Sequence, residues 1–580
     1  MKMTANDYDV IIKGGTLIDG TNTPRKFADV AIRDGRIARI GGLGNATATR
    51  IVDASGKIIA PGVVDVHTHY DAAIFWDPYC TPSGYHGMTT AVVSNCGFGF
   101  APCKKEKAVQ ERYMGMMETT EQIPTAALRE ALPFSWESFP EWLDVVKGLG
   151  KGINVASYIP LNSLMIFVMG SVEDARDRLP TESELAEMKR LLREALEAGA
   201  IGFAFSKLNE FNSHKDHGSP MPTDAADEST AYALAEVLRE MDYGVIQALV
   251  DLPMAIDNNH IAERLAEISG RPVLQNIIVP FDHIPEEIDR VLNWLDACEA
   301  KGLDCYSQAL AFRTWQESRL LDWNTWDILP AFAEFSELGD DIDARVAKAS
   351  DPEWRARIKE VHTVDNMTSG GGMLDNLKLI TMPDASDPRI GKKFGDIAAE
   401  AGIHVVDAFF DAVVDSRCEM DFRTLSSMSQ DPALFEKLYK HPRVIAGTSD
   451  GGAHIRFFSG GNFSTDLIQW LALEEKRFTL EELHHKFSMM PARLLNLVDR
   501  GALLPGFAAD LMIYDPETLG YPDQYELVTD LPGGEFRRVI PAFGIDLIMV
   551  NGVVTFESGM KSTGATPGRV LVSAGVGENN

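Results

Sequence analysis

The chain has 580 residues, 45% of them hydrophobic, with 54 basic against 85 acidic side chains and a formal charge of −31. That is ample material for a large core, and the length suits one big catalytic domain with appendages or two to three domains. A pI near 4.8 excludes the classes that bind phosphate backbones or anionic membrane surfaces, because basic groups are outnumbered and no basic run occurs.

The first residues, MKMTANDYDV, lack the apolar segment of a signal peptide, and no stretch of about 18 apolar residues follows, so a cytoplasmic location is expected. Residues 8 to 60 read as short strands broken by glycine, in YDVIIKGGTLIDG, ADVAIRDGRIARIG and TRIVDASGKIIAPG. Alternating Val and Ile with Asp-Gly turns is hairpin chemistry. From residue 61 strand-length apolar runs alternate with amphipathic stretches: 61–69, 89–97, 153–161, 201–208, 243–250, 272–279, 304–310 and 443–450 are the predicted strands. Helices lie between them. Thr181 with Glu184 forms a capping box, Leu185, Met188, Leu192 and Leu196 share a face, and Gly199 is the stop. The same logic gives helices over 228–241, 258–269 and 285–301. Eight strand–helix units close most naturally into a TIM-like (β/α)₈ barrel, with a doubly wound open sheet as the alternative.

The rhythm breaks between strands seven and eight, where residues 311–442 are rich in Trp, Asp and Gly. A segment that long is read as an insertion with its own structure, overhanging the barrel mouth as a lid. Strand patterns return at 501–516 and 545–559, with a tight turn at Val550-Asn551-Gly552-Val553. The expected organisation is a small β-sandwich domain from residues 1–60 plus 496–580, a barrel domain over 61–495, and the 311–442 insertion within it. Six cysteines (Cys80, Cys96, Cys103, Cys298, Cys305 and Cys418) are too few and too irregular for a disulfide framework.

The segment VVDVHTHYDA, residues 63–72, places His67 and His69 on one face at the carboxyl end of the first barrel strand. Barrel enzymes keep their chemistry at that end, and two imidazoles there can grip one metal ion. His-x-His also arises by chance; its position gives it meaning. Cys96 ends the second strand at the matching level; alone it reads as core packing, but beside a histidine pair it reads as a thiolate ligand. Asp450, in the Ser-Asp-Gly-Gly turn ending strand eight, is either a rim carboxylate or a helix cap.

PGVVDVHTHYD, HGMTTAVVSNCGFGFAP, TSDGGAH and GFAADLMIYDP together resemble the amidohydrolase superfamily, in its D-aminoacylase or N-acyl-D-amino-acid deacylase branch. The likeness is specific over residues 8–100 and 440–570 and collinear between. It implies a metal-bearing barrel with His67, His69 and Cys96 as metal ligands and Asp450 as the catalytic aspartate that also touches metal. It further implies one more histidine from strand five and one from strand six. Here those strands carry Gln247 and Asn276, candidate substrate-binding groups, so the ion count, one or two Zn²⁺ or another divalent metal, stays open. Lys207, after strand four, is a candidate for the carboxylated lysine of some relatives, with a plain salt-bridged lysine as the simpler reading. His214 and His217 are expected to face solvent, and His484 and His485 to be structural. Arg313, past strand seven, is a candidate clamp for a substrate carboxylate, or else a surface residue.

The expected reaction is hydrolysis of a C–N amide bond in a small N-acyl-amino-acid-like substrate, with metal-activated water and Asp450 as base and then acid. Two alternatives stand beside it: a hydrolase of a cyclic amide, lactone or carbamate, separable by comparing linear with cyclic substrates, and a non-catalytic barrel scaffold, separable by metal content. The expected partner is a small-molecule amide, with no nucleic acid and no membrane; a homo-oligomer is an open possibility.

Overall fold

A computed structural model describes residues 6–573, except 209–213, 217, 253–255, 311, 323–324, 340, 369–371 and 426–427. His217 therefore lies outside the described residues.

Eight parallel strands run in chain order: Val63–Asp65, Met88–Val93, Asn154–Ser157 continued by Ile159–Pro160, Gly202–Ser206, Val245–Leu249, Val273–Ile278, Cys305–Ala309 and Val444–Ala446. Each pairs in parallel with the next. The ring closes where Thr68 bridges Gly451 in parallel, with the His69 amide donating to the Gly451 carbonyl at 2.7 Å. This is an α/β barrel of the TIM type. Its strands are buried almost throughout, with Tyr306 in the seventh partly exposed, because side chains fill the ring on one side and meet helices on the other.

The helices follow the sequence signals. Glu182–Ala198 starts at a complete Thr181–Glu184 capping box, buries Met188, Leu192 and Leu196, and stops at Gly199 (φ 123°). Ser229–Met241, Asn259–Ser269 and Glu286–Ala300 occupy the other predicted positions.

Strands from both ends of the chain build one nine-stranded sheet. Leu511–Tyr514 lies antiparallel to Ile58–Pro61, which continues into Tyr8–Leu17 and Lys26–Arg33. Tyr8–Leu17 changes partner half-way, pairing with Ala48–Asp53 through residue 13 and with Ile58–Pro61 from residue 16. Ile545–Val550 and Val553–Glu557 form the hairpin read from Asn551-Gly552, both of which have positive φ.

Between strands seven and eight, Trp315–Ser318, Asp421–Leu425 and Lys378–Thr381 form a separate antiparallel sheet. Around it Trp326, Phe332, Trp354, Phe409, Phe410 and Phe422 belong to an apolar core of their own. The segment reaches the loop after strand eight: the Glu317 amide donates to the Phe457 carbonyl at 2.9 Å, and Asp322 pairs with Arg456 at 3.4 Å. All six cysteines are buried and free. Among the described residues no helix is long and apolar enough to cross a membrane.

Candidate metal centre

His67 and His69 follow the first barrel strand directly, and strand alternation brings both rings to one side, with centroids 5.4 Å apart. The second strand ends in a short turn, Asn95–Gly97, in which Cys96 takes a left-handed backbone at φ 58°. One nitrogen from each histidine and Cys96 Sγ lie within 4.8 Å of one another, and all three residues are buried. Cys96 Sγ is 3.2 Å from His67 Nε2. The loop after the eighth strand supplies Asp450, also left-handed at φ 48°, whose Oδ1 is 3.3 Å from His67 Nε2 and 3.8 Å from His69 Nε2. The carboxylate keeps 19% of its side-chain exposure.

The surroundings fit a cation. His67 Nδ1 lies 2.9 Å from Gln308 Oε1, an acceptor only, and 2.7 Å from Asn276 Nδ2, a donor; the tautomer that donates to Gln308 leaves its lone pair at Nε2, beside Cys96 and Asp450. A histidine whose second nitrogen donates to a fixed acceptor is the usual metal-ligand arrangement. Burial, with His67, His454 and His214 nearby, pushes His69 well below its ordinary range and keeps it a neutral ligand. Burial and then the carboxylates of Glu121, Asp450 and Asp224 push the Cys96 thiol well up. A thiolate at this position therefore needs positive charge, which a divalent ion supplies. Burial also raises Asp450, with His67 opposing. Two imidazoles, one thiolate and one carboxylate are donors suited to a borderline divalent ion.

Gln247 and Asn276 hold this centre from behind. Gln247 Oε1 accepts from the Cys96 amide at 2.6 Å, Gln247 Nε2 donates to Asn276 Oδ1 at 3.1 Å, and Asn276 Nδ2 lies against His67 Nδ1 at 2.7 Å. Both are fully buried. These amides, read from the sequence as candidate substrate-binding groups, are engaged with one another and with Cys96, His67 and Gln308. Lys207 is also placed differently from the carboxylated-lysine reading, since its Nζ donates to the carbonyls of Asp224 (2.8 Å) and Ala226 (2.5 Å). Those acceptors suit an ammonium and would repel the oxygens of a carbamate. Arg313 is already paired, through Nε with the buried Asp466 at 2.8 Å and through Nη1 with Glu474 at 3.2 Å, so its charge is answered within the chain.

His214 is half-buried and packs edge-on against Phe98, which corrects the expectation that it faces solvent. It joins Glu121 and His454, ligand atoms of the three residues lying within 4.8 Å of one another. Sequence reasoning missed Glu121 and gave His454 no role. His454 was visible in TSDGGAH, but nothing in the sequence marked Glu121. His484 donates to or accepts from Tyr514 Oη at 2.9 Å, and His485 Nδ1 meets the Gly20 carbonyl at 2.9 Å, both within the scaffold.

The Amidohydrolase family model matches residues 50–358, more than half of the chain. The protein belongs to the amidohydrolase family. N-acyl-D-aspartate deacylase of Alcaligenes xylosoxydans xylosoxydans is 26% identical to this amidohydrolase, over 97% of this chain and 95% of its own. D-aminoacylase of the same organism is 26% identical over 97% of both chains. Among solved structures, N-acyl-D-glutamate deacylase from Bordetella bronchiseptica, complexed with zinc and a phosphonate inhibitor, shares the fold with a TM-score of 0.64 and 24% identity, covering 97% of this chain and 99% of that one.

Proposed function

We propose that this amidohydrolase is a metal-dependent hydrolase of C–N bonds other than peptide bonds, cleaving the amide of a small N-acyl-amino acid, with N-acyl-D-amino acids first. The observation that carries this reading is the convergence of His67, His69 and Cys96 within 4.8 Å, with Asp450 Oδ1 at 3.3 Å from His67 Nε2. The full-length relatives whose names specify deacylases support the substrate class. Zn²⁺ suits the donors, and a zinc-bearing structure of the same fold supports it.

His67, His69 and Cys96, with Asp450 beside them, would hold a divalent cation, which when bound would supply Lewis acidity towards a carbonyl and bring the ionisation of water towards a pKa of about 7. Asp450 then carries the proton. Ionised, its Oδ1 accepts a proton from the attacking water; protonated, it returns that proton to the amine nitrogen as the C–N bond breaks. The products are a carboxylate and a free amine. Asn276, Gln247 and Gln308 keep His67 and Cys96 in place throughout, so no ligand has to reorient between steps. Residues 311–442 are read as a lid over the mouth, supported by their contacts with the Asp450 loop at Phe457 and Arg456. The strands of residues 1–60 and 496–580 are read as a small β-sandwich domain flanking the 61–495 barrel, supported by the apolar residues buried on both faces of Tyr8–Leu17.

The test is release of free amine from N-acetyl-D-amino acids, their L-enantiomers and cyclic amides, with Asp450→Asn as the control. We expect hydrolysis of the linear D-substrates, and a loss of about 10²–10⁴ in turnover for Asp450→Asn with bound metal retained. Unchanged turnover in that variant would remove Asp450 from the mechanism, and exclusive action on cyclic amides would move the protein to the alternative hydrolase class.

A further inference from the structure

Glu121, His214 and His454 form a second group of metal-ligating side chains, with ligand atoms within 4.8 Å of one another. They reach one point from three elements: the end of helix Lys107–Glu121, the segment beyond strand four, and the loop beyond strand eight. Glu121 is 1% exposed, and its Oε1 meets no hydrogen-bond donor among the described residues. Its Oε2 is 3.6 Å from His69 Nε2 and 3.9 Å from His454 Nε2.

His454 is aimed at that carboxylate. Its backbone N–H donates to the Glu121 carbonyl at 2.7 Å, and its Nδ1 contacts Gln122 Oε1. An amide oxygen only accepts, so Nδ1 carries the proton and Nε2, turned towards Glu121, presents a lone pair. A lone pair 3.9 Å from a buried carboxyl oxygen, too far for a hydrogen bond, is an arrangement that a cation between them satisfies. In the first group Gln308 Oε1 stands beside His67 Nδ1 as Gln122 Oε1 stands beside His454 Nδ1.

We propose that Glu121, His214 and His454 hold a second divalent transition-metal ion beside the one assigned to His67, His69 and Cys96. The inference rests on the metal-centre reading above and deepens it. Strands five and six offer only Gln247 and Asn276, so the second set of donors comes from the rim instead. Two imidazoles and one carboxylate leave coordination positions open, which belongs to a reactive site rather than a closed structural one. The loop beyond strand eight serves both groups, through Asp450 for the first and His454 for the second.

Protein stripped by chelator and refilled with Zn²⁺ alone is the test, with bound metal counted by mass spectrometry after desalting. We expect two equivalents in the full chain, one in Glu121→Gln and in His454→Asn, and one in the double variant His67→Asn/His69→Asn. A single equivalent that survives in Glu121→Gln and His454→Asn but is lost from the double variant would overturn the second site and leave the first reading intact. A single equivalent with the opposite pattern would support the Glu121 site and overturn the His67–His69–Cys96 reading. No bound metal would overturn both. Titration of the unsubstituted protein with Co²⁺ keeps the test independent of variant folding: two equivalents should bind while thiolate-to-cobalt charge transfer, which only Cys96 provides, saturates after one. Charge transfer that grows in proportion to all the cobalt bound, ending at one equivalent, would contradict the second site.

Discussion

Cys96 sits in a backbone conformation that non-glycine residues rarely adopt, at φ 58°, and Ser94 before it is similar at φ 64°. Such positions cost of order 1–3 kcal/mol and persist where the surroundings over-determine them. Here the Gln247 side chain does so by accepting the Cys96 amide proton. Replacing Gln247 with Leu removes that acceptor and should weaken metal affinity by about 10–100-fold, measured by competition with a chromophoric chelator; unaltered affinity would show that the amide network does not orient the ligands. That His67, His69 and Cys96 come together was legible in the sequence because a period of two and strand-end position specify direction. Gln247 and Asn276 were noticed at the right places, but not their work: an amide at a barrel rim can face substrate or ligand equally well until its neighbours are known. Glu121 was illegible. It ends a helix whose sequence has no feature that marks one carboxylate among several as buried.

Among elements, the loop after strand eight concentrates the most function in the fewest residues. It bridges Gly451 to Thr68 to close the barrel, carries Asp450 and His454, and docks the 311–442 segment through Phe457 and Arg456. Its glycines are there for close approach. At Gly452 (φ 92°) an added Cβ would stand 2.7 Å from the His69 carbonyl oxygen. Gly452→Ala should therefore cost about 1–3 kcal/mol in stability and lower activity as well, because relief can only come by moving Asp450 relative to His69. A denaturant melt and the amine-release assay check this together; loss of stability with full activity would show that the loop can relax without disturbing the site. The eight strands and the helix caps were readable because each signal is local. The route taken by 311–442 was not, since its core of Trp326, Phe409 and Phe422 is assembled from residues far apart in the chain. His214 misled for a related reason: a polar segment looks solvated until other elements fold over it.

At the scale of the whole molecule, buried neutral histidines outside the metal centre oppose folding in acid, against Asp65 and Asp71, which burial raises to about 7 and about 6 and which act in the opposite sense. His86 is 1% exposed between Thr465 Oγ1 and the Ile540 carbonyl, and burial brings it down to about 4. His484, beneath Tyr514, is brought down by burial to about 3. An unfolded histidine takes its proton near pH 6.5, so on acidification the unfolded chain gains protons before the folded one. The stability these two histidines contribute is held above pH 6.5 and lost as pH falls through 4 towards 3. Denaturant midpoints of the metal-free protein and of its His86→Gln variant between pH 7 and 3.5 measure this: the unsubstituted protein should lose more stability over that range, and an equal loss in both would contradict it. That strands from both ends share one sheet was legible at the same scale, because glycine-punctuated strand patterns recur at both ends; Leu511–Tyr514 beside Ile58–Pro61 is where they join.

The most direct measurement is an anomalous difference map, collected at the zinc edge, from crystals of protein loaded with Zn²⁺. The account predicts a peak within bonding distance of His67 Nε2, His69 and Cys96 Sγ, with the Asp450 carboxylate facing it. Density elsewhere and none at this triad, or imidazoles of His67 and His69 turned away from a common point, would contradict it.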